Sequence, residues 1–401
     1  MKLSETKAAL QGIRVLDFSA YGAGPYCGML LGQMGAEVIR IEKPGGGWDR
    51  EFGLVAPDGE SCNYKALCTS KKGITLNIRT DKGREVLDKL IEKSDVVLHN
   101  FAPGSPEVKI LDYSRLRQVN PKIILAAISG FGQDGPYAEH LAFDPTAQAF
   151  SGATSITGFK GNPPTKEGVT YVDFGTGTTL AFGIVLALYY REKTGIGQMV
   201  DASLVKTAVA FITGMSAVAL YIIYGEIRRE LGNCGFSTYS NCFKAKDGWV
   251  MVNPAGEGNW RRFARLIGAE HMIGDPKFQN DVARWENRGL IDPIVEKWVA
   301  KRTVDEVVTE LQRARVCSAK TNTIAEMVEH PQVIHQRMIE YIDYPGVEKV
   351  PVPGVLARLS ETPGQVYNRA PLVGEHNEQI YSDLLGFSQE RLSQMSEDGI
   401  I

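Results

Sequence analysis

The residues best placed to do chemistry in this chain begin with an aspartate trailed by glycines. Asp173 stands in Thr170-Tyr-Val-Asp-Phe-Gly-Thr-Gly177, where an uncharged helical run opens. Two roles fit it there. Asp is a preferred N-cap, so it can close the start of a helix. A carboxylate can also act as a covalent nucleophile. Gly175 and Gly177 would then let a substrate approach the backbone closely, and N–H groups nearby would steady an oxyanion. A second candidate is Gly22-x-Gly24, which follows a β-rich segment. The dinucleotide fingerprint requires a third glycine where Cys27 stands, although Glu42 lies about 20 residues on, as its ribose-binding acid would. Nicotinamide binding is therefore not expected. A helix N-terminus at that turn still suits another anion, such as a nucleotide phosphate. The cysteines (Cys27, Cys62, Cys68, Cys234, Cys242 and Cys317) form no CxxC pair and no zinc-like spacing. They read as reduced thiols of a cytoplasmic protein, and no metal site is expected.

These residues need a scaffold, and the first third of the chain supplies one. Ile13-Arg-Val-Leu-Asp-Phe18 predicts a strand, residues 26–34 a helix with Pro25 in its first position, and Glu37-Val-Ile-Arg-Ile-Glu42 a second strand. Residues 80–93 carry helical periodicity through Val86, Leu87, Leu90 and Ile91. Asp95-Val-Val-Leu-His99 and Ile123-Ile-Leu-Ala-Ala-Ile-Ser129 read as further strands, the last apolar enough to be covered on both faces. The implied architecture is α/β, a Rossmann-like doubly wound sheet whose working loops lie at the carboxyl ends of the strands, near residues 20–24, 100–104 and 130–136. Helices are expected over 174–190 and 207–224. Both are uncharged, and both read as core or subunit-interface helices ahead of membrane spans. Beyond Gly225 the texture changes to charged amphipathic helices around 260–267, 288–300 and 304–314, with a strand at Trp249-Val-Met-Val-Asn253. The expected division is a large domain over 1–225, a smaller α+β domain over 226–325 and a Pro-rich return segment over 326–401 that completes the large domain.

Composition is that of an ordinary globular protein: 401 residues, 43% hydrophobic and 23% charged, with a formal net charge of −3. That balance speaks against a dedicated nucleic-acid binder. It leaves room for a local basic pocket. The start, Met1-Lys-Leu-Ser-Glu-Thr-Lys7, lacks the apolar core of a signal peptide.

A series of motifs in order along the chain resembles the class III CoA-transferases (the CaiB/BaiF type), the family of formyl-CoA transferase and carnitine CoA-transferase. They are Gly12-Ile-Arg-Val-Leu-Asp-Phe18, Ala23-Gly24-Pro25, Gly35-Ala-Glu-Val-Ile-Arg-Ile-Glu-Lys-Pro44, Asn100-Phe101, Ser129-Gly-Phe-Gly-Gln133, Ala147-Gln-Ala-Phe-Ser-Gly152, Thr194-Gly-Ile-Gly-Gln198 and Ala370-Pro-Leu-Val-Gly-Glu-His376. The resemblance implies that Asp173 is the nucleophile, forming an aspartyl anhydride and then an aspartyl-CoA thioester. It implies that coenzyme A or acyl-CoA, as substrate, is held by Ala20, Tyr21, Gly22, Ala23, Lys43, Leu76, Asn77, Ile78, Arg79, Asn100, Phe101 and Ala102. Family members often carry an arginine where Val108 stands; Lys109 either replaces it or that contact is missing. The related α-methylacyl-CoA racemases have a histidine where Phe143 is, so racemisation is disfavoured, with His140 and Asp144 its remaining candidates. Gly235 and Glu257 are candidates for the substrate side. The resemblance further implies an interlocked homodimer, or a heteromer with a related chain, and no membrane partner.

Overall fold

The computed structural model describes residues 8–401, and the chain divides into two compact units. Unit 1 gathers the described residues up to Ser151, then Gly168–Val209 and Pro331–Ile401; unit 2 holds Gly152–Glu167 and Ala210–His330.

Unit 1 is built on a parallel sheet of β1 (Arg14–Asp17), β2 (Glu37–Glu42), β3 (Lys71–Thr75), β4 (Val96–His99), β5 (Ile124–Ser129) and β6 (Met199–Ser203), in the order β3-β2-β1-β4-β5-β6. The order reverses beside β1, which places a crevice at the carboxyl ends of β1 and β4. Side chains alternate between two core layers. Val15, Val96, Ile124 and Ala126 enter one layer, while Leu16, Val97 and Leu125 enter the other. Helices α1 (Ala23–Gln33) and α4 (Tyr171–Thr194) cover the first layer. Helix α2 (Asp81–Glu92) covers the second, together with C-terminal residues such as Tyr381 and Leu392. Each buried aliphatic contributes about 1.5–3 kcal/mol against about 0–1 for a surface ion pair. Apolar packing therefore places these helices.

Strand β3 was not expected, because Lys71-Lys72 opens it. The structure neutralises both: Lys71 Nζ lies 2.8 Å from Asp17 Oδ2 in full burial, and Lys72 Nζ lies 2.8 Å from Glu37 Oε1. Helix α1 starts at Ala23, earlier than expected. Pro25 is its third residue, still within the first turn, where N–H groups have no intrahelical partner. Helices α1 and α4 cross closely. A Cβ on Gly177 would stand 2.5 Å from the Ala23 carbonyl oxygen, and the Tyr26 and Phe174 rings are 4.8 Å apart. That crossing brings Asp173, one turn before Gly177, to the start of α1.

Two further expectations need correction. Residues 207–224 are not one helix: α5 (Leu204–Gly214) and α6 (Ala217–Tyr224) are separated at Ser216, which takes a left-handed φ of 72°. Of the two settings expected for this run, core or subunit interface, the core does not hold for α6, since none of its residues is buried and Ile222 is 72% exposed. Helix α4 is long and apolar enough to cross a membrane by length and composition, but Leu180, Ile184 and Ala187 pack into the sheet core. The C-terminal part contains elements the sequence reading missed: a hairpin of Ile339–Tyr344 with Val347–Pro353, and a last helix, Gln389–Glu397.

Unit 2 pairs an antiparallel sheet of β7 (Asn241–Lys244), β8 (Trp249–Asn253) and β9 (Cys317–Lys320) with helices α7 (Glu257–Leu266), α8 (Arg288–Val299) and α9 (Val304–Arg313) around Trp260, Phe263, Val295 and Val307. Its helices fall where amphipathic periodicity placed them.

Candidate active site

Asp173 is the third residue of α4, yet it does not cap that helix. The cap comes from a distance, on α3 (Asp144–Phe150): Asp144 Oδ2 accepts from the N–H of Val172 at 2.7 Å and of Asp173 at 3.1 Å. Gln148 Nε2 donates to the other Asp144 oxygen, and Asp144 is 2% exposed. Asp173 therefore keeps its carboxylate out of helix capping. Across from it lies Gly22, at the N-terminus of α1. A Cβ there would stand 2.4 Å from Asp173 Oδ2, so any larger residue would push the carboxylate from its place. Among the described residues no hydrogen-bond donor reaches the Asp173 carboxylate. Burial, and then the neighbouring charge of Asp144, push its pKa up to about 6. A carboxylate in that state is a stronger nucleophile than a solvated one, and it remains mostly ionised at neutral pH.

A cavity of about 450 Å³ opens at the carboxyl ends of β1, β2 and β3. Of the expected CoA-holding residues, Ala20, Lys43, Leu76, Asn77, Ile78, Arg79 and Phe101 line it. Lys43 Nζ sits 3.8 Å over the Trp48 ring, with no carboxylate partner among the described residues. Arg79 is paired with Glu107, which also lines the cavity, at 2.5 Å. Asn100 works one step behind: its Oδ1 accepts from Ala20 N–H at 2.9 Å and its Nδ2 donates to Ala20 O at 2.7 Å. Tyr21, Gly22 and Ala23 lead from the cavity wall to Asp173. Ala102 and Lys109 are exposed and lie off the lining.

The family model for CoA-transferase family III matches residues 10–377. The chain belongs to that family. It is 33% identical over 98% of its length to succinyl-CoA–D-citramalate CoA-transferase of Chloroflexus aurantiacus, of which 98% is covered. It is 32% identical over 99% of its length to the β subunit of succinyl-CoA–L-malate CoA-transferase of the same organism, again with 99% of that chain covered. Among solved structures, a CaiB/BaiF family protein from Brucella suis superposes with a TM-score of 0.80 at 29% identity, over 94% of this chain and 99% of that one. The protein is thus an enzyme of the CoA-transferase class.

In this CoA-transferase His140 is not brought to Asp144. Its ring stacks on Tyr137 at 4.4 Å and meets Phe131 edge-on at 5.7 Å. Phe143 instead presents its ring to Tyr21 at 5.9 Å. In unit 2, the Glu257 carboxylate is held by Arg261 at 2.6 Å and also by Arg284, and Gly235 packs over Thr238. Among the described residues no group of three or more His, Cys, Asp or Glu is placed to hold a metal. All six cysteines are free thiols, and burial drives the Cys27 thiol well above its usual range.

Sequence reasoning missed a buried ion network beneath the cavity. Arg40 binds Asp49 at 2.6 Å and Glu42 at 3.3 Å, and Arg50 binds Glu42 at 2.6 Å. Its signal was present in Glu37-Val-Ile-Arg-Ile-Glu42. Two opposite charges two residues apart share one face of an otherwise apolar strand, and a buried charge must be paired.

Proposed function

We propose that the enzyme moves CoA from an acyl-CoA donor to a carboxylic acid acceptor through covalent intermediates on Asp173. The observation that carries this is the Asp173 carboxylate: uncapped, without a hydrogen-bond donor, and lying against Gly22 at the start of α1. In the first step an Asp173 oxygen bonds to the acyl carbon and the C–S bond breaks, giving a mixed anhydride and free CoA thiolate. The thiolate then attacks the aspartyl carbonyl, releasing the donor acid as carboxylate and leaving an aspartyl-CoA thioester. The acceptor carboxylate attacks that thioester, expelling the thiolate again and forming a new anhydride. Attack of the thiolate on the acceptor's carbonyl completes the transfer and returns Asp173. Each tetrahedral step places negative charge beside the first-turn N–H groups of α1, which have no intrahelical partners.

On this reading Lys43 and Arg79 hold CoA phosphates in the cavity, and residues 20–23 guide the thiol end towards Asp173. Two relatives are named for succinyl-CoA, which makes it the first donor to test, with short dicarboxylic and hydroxy acids first among acceptors and carnitine-like and aromatic acids after them. The experiment is mass spectrometry after mixing enzyme, donor and an acid panel, with hydroxylamine added to trap the intermediate as a hydroxamate at Asp173. No transfer and no adduct with any pair would sink the proposal. For proton transfer at the α-carbon, the test is a chiral 2-methylacyl-CoA in heavy water: deuteration dependent on His140 or Asp144 would favour a racemase.

Exposed apolar side chains support an obligate assembly. In unit 1 the α4 face carries Phe182 at 65% exposure and Tyr189 at 61%; in unit 2, α6 carries Ile222, Ile223 and Tyr224. Such patches mark contact surfaces. The occupant is a second copy in an interlocked cytoplasmic homodimer, or a related chain, as in the relative named as a subunit. Sedimentation at nanomolar concentration separates these. A stable dimer that is active alone supports the homodimer, binding of CoA without turnover until a second chain is added supports the heteromer, and an active monomer rules out both.

A further inference from the structure

We propose that Asp49 is a positioning residue for the chemistry at Asp173: it holds Tyr21 in the left-handed backbone region, and thereby sets the Gly22 backbone against the Asp173 carboxylate. The proposal rests on Asp173 being the reacting group.

Tyr21 has a φ of 69°. A bulky residue avoids this region, because its Cβ crowds the backbone. A residue found there is held by its surroundings. The holding groups are specific. Asp49, 3% exposed in the short turn Trp48–Glu51, accepts the Tyr21 N–H on Oδ2 at 3.3 Å. Its other oxygen takes Arg40 Nη2 at 2.6 Å, and Arg40 Nη1 donates to Ser19 O at 2.7 Å. Asp49 and Arg40 therefore grip the turn at two backbone points, and each neutralises the other in burial. With Asn100 fixing both polar groups of Ala20, the turn is held at successive residues. Its product is the position of Gly22, next in the chain, whose backbone shields one side of the Asp173 carboxylate. A purely structural role for Asp49 would stabilise the loop without regard to which φ Tyr21 adopts. A positioning role depends on that angle.

The decisive comparison is Tyr21→Gly against Tyr21→Ala. Both remove the ring and its contacts with Phe52 and Phe143, but only glycine keeps a left-handed backbone without steric cost. Tyr21→Gly is expected to keep a kcat at least fivefold above Tyr21→Ala, with KM for acyl-CoA equal within twofold. Equal kcat values overturn the proposal. Asp49→Asn is expected to lower kcat at least tenfold with little change in KM, and its effect should shrink below threefold in the Tyr21→Gly background. An undiminished effect there overturns the proposal. If Asp49→Asn does not fold, the Tyr21 pair decides alone. If the wild type transfers no CoA, the transferase reading falls, and titration of the Asp173 carboxyl by ¹³C NMR decides. Asp144 on α3, Tyr26 and Cys27 on α1, and Tyr171 on the first turn of α4 are titratable groups on the elements packed about it, and all are unchanged in this pair. A lower midpoint in Tyr21→Ala than in Tyr21→Gly supports the positioning role, and identical midpoints overturn it.

Discussion

Glu42 closes β2 on the cavity wall, and Asp173 opens α4 against Gly22; both are acids removed from bulk water. Burial pushes each pKa up. At Glu42 the charge of Arg40 and the bonds and charge of Arg50 more than offset it and hold the carboxyl below its usual range. At Asp173 no cation answers, and the charge of Asp144 adds to the burial. The same functional group is thus committed to the fold in one place and left without a cation in the other. What separates them is the company each keeps, since both are shielded.

Breaking the reactive side should have the largest effect. On the proposed mechanism, Asp173→Asn is expected to reduce transfer by about a thousandfold or more, because it removes the carboxylate that would form the anhydride. It should also stabilise the fold at neutral pH by roughly 1–3 kcal/mol. The sign follows from the raised pKa: the folded state favours the protonated acid, so the penalty of ionising it is absent below the ordinary carboxyl value of about 4, accrues as pH rises from there to about 6, and is constant above. Denaturant unfolding of wild type and variant should differ least below about pH 4, diverge between about pH 4 and pH 6, and stay apart above it. A variant less stable at pH 8 would contradict the unpartnered state of Asp173.

Breaking the committed side should act on stability first. Glu42→Gln leaves Arg40 and Arg50 short of a carboxylate in a buried site, which costs about 3–5 kcal/mol. A depressed carboxyl pKa contributes stability above the usual value, and that contribution is lost as pH falls through the folded one. The urea midpoints of wild type and variant should therefore differ most at neutral pH and converge in acid. A neutral effect at pH 7 would mean the network is replaceable.

The contrast also explains what could be read from sequence. The strands β4 and β5 were legible because burial on both faces leaves near-continuous apolar runs, and β1 and β2 because short β-branched segments follow Gly12 and Gly35. Asp173 was legible through the motifs around it. Strand β3 was not, because Lys71 and Lys72 look solvated until Asp17 and Glu37 are seen beside them. Likewise the break at Ser216 within 207–224 leaves no proline to announce it. The cap on α4 was the least accessible of all. Asp144 lies far from Val172 in the chain, and N-cap reasoning looks only at the adjacent residue. A local rule therefore offered Asp173 as its own cap, and the tertiary structure gave that task to another acid.

A smaller change sharpens the reactive side without removing it. Asp144→Asn keeps an acceptor for the N–H groups of Val172 and Asp173 but deletes a negative charge. Since that charge raises the Asp173 pKa, the acid limb of kcat/KM against pH should move down from about 6. Burial is the larger cause, so the displacement should be below about one unit. A limb that stays in place would assign the raised pKa to burial alone, and a limb that moves up would contradict the placement of Asp144.

The smallest expected effect lies beside the cavity, at Lys109, next to Val108, where the family resemblance leads one to expect an arginine. Lys109 is the nearest cation in sequence, but the short helix Pro106–Ile110 turns Glu107 to the cavity and leaves Lys109 exposed and off the lining. An exposed lysine acts on a phosphate at a distance only through screened charge, worth about 1 kcal/mol or less. Lys109→Ala should change the dissociation constant for CoA by less than about threefold at physiological salt. Lys43→Ala should weaken it by about tenfold or more, because Lys43, although exposed as well, lines the cavity, has no carboxylate partner among the described residues, and on the proposed reading would bond a phosphate directly. Calorimetry on the two variants orders them. If Lys109→Ala were the weaker binder, the side chain must swing in to replace the missing arginine, and the cavity as seen would be an open form of the site.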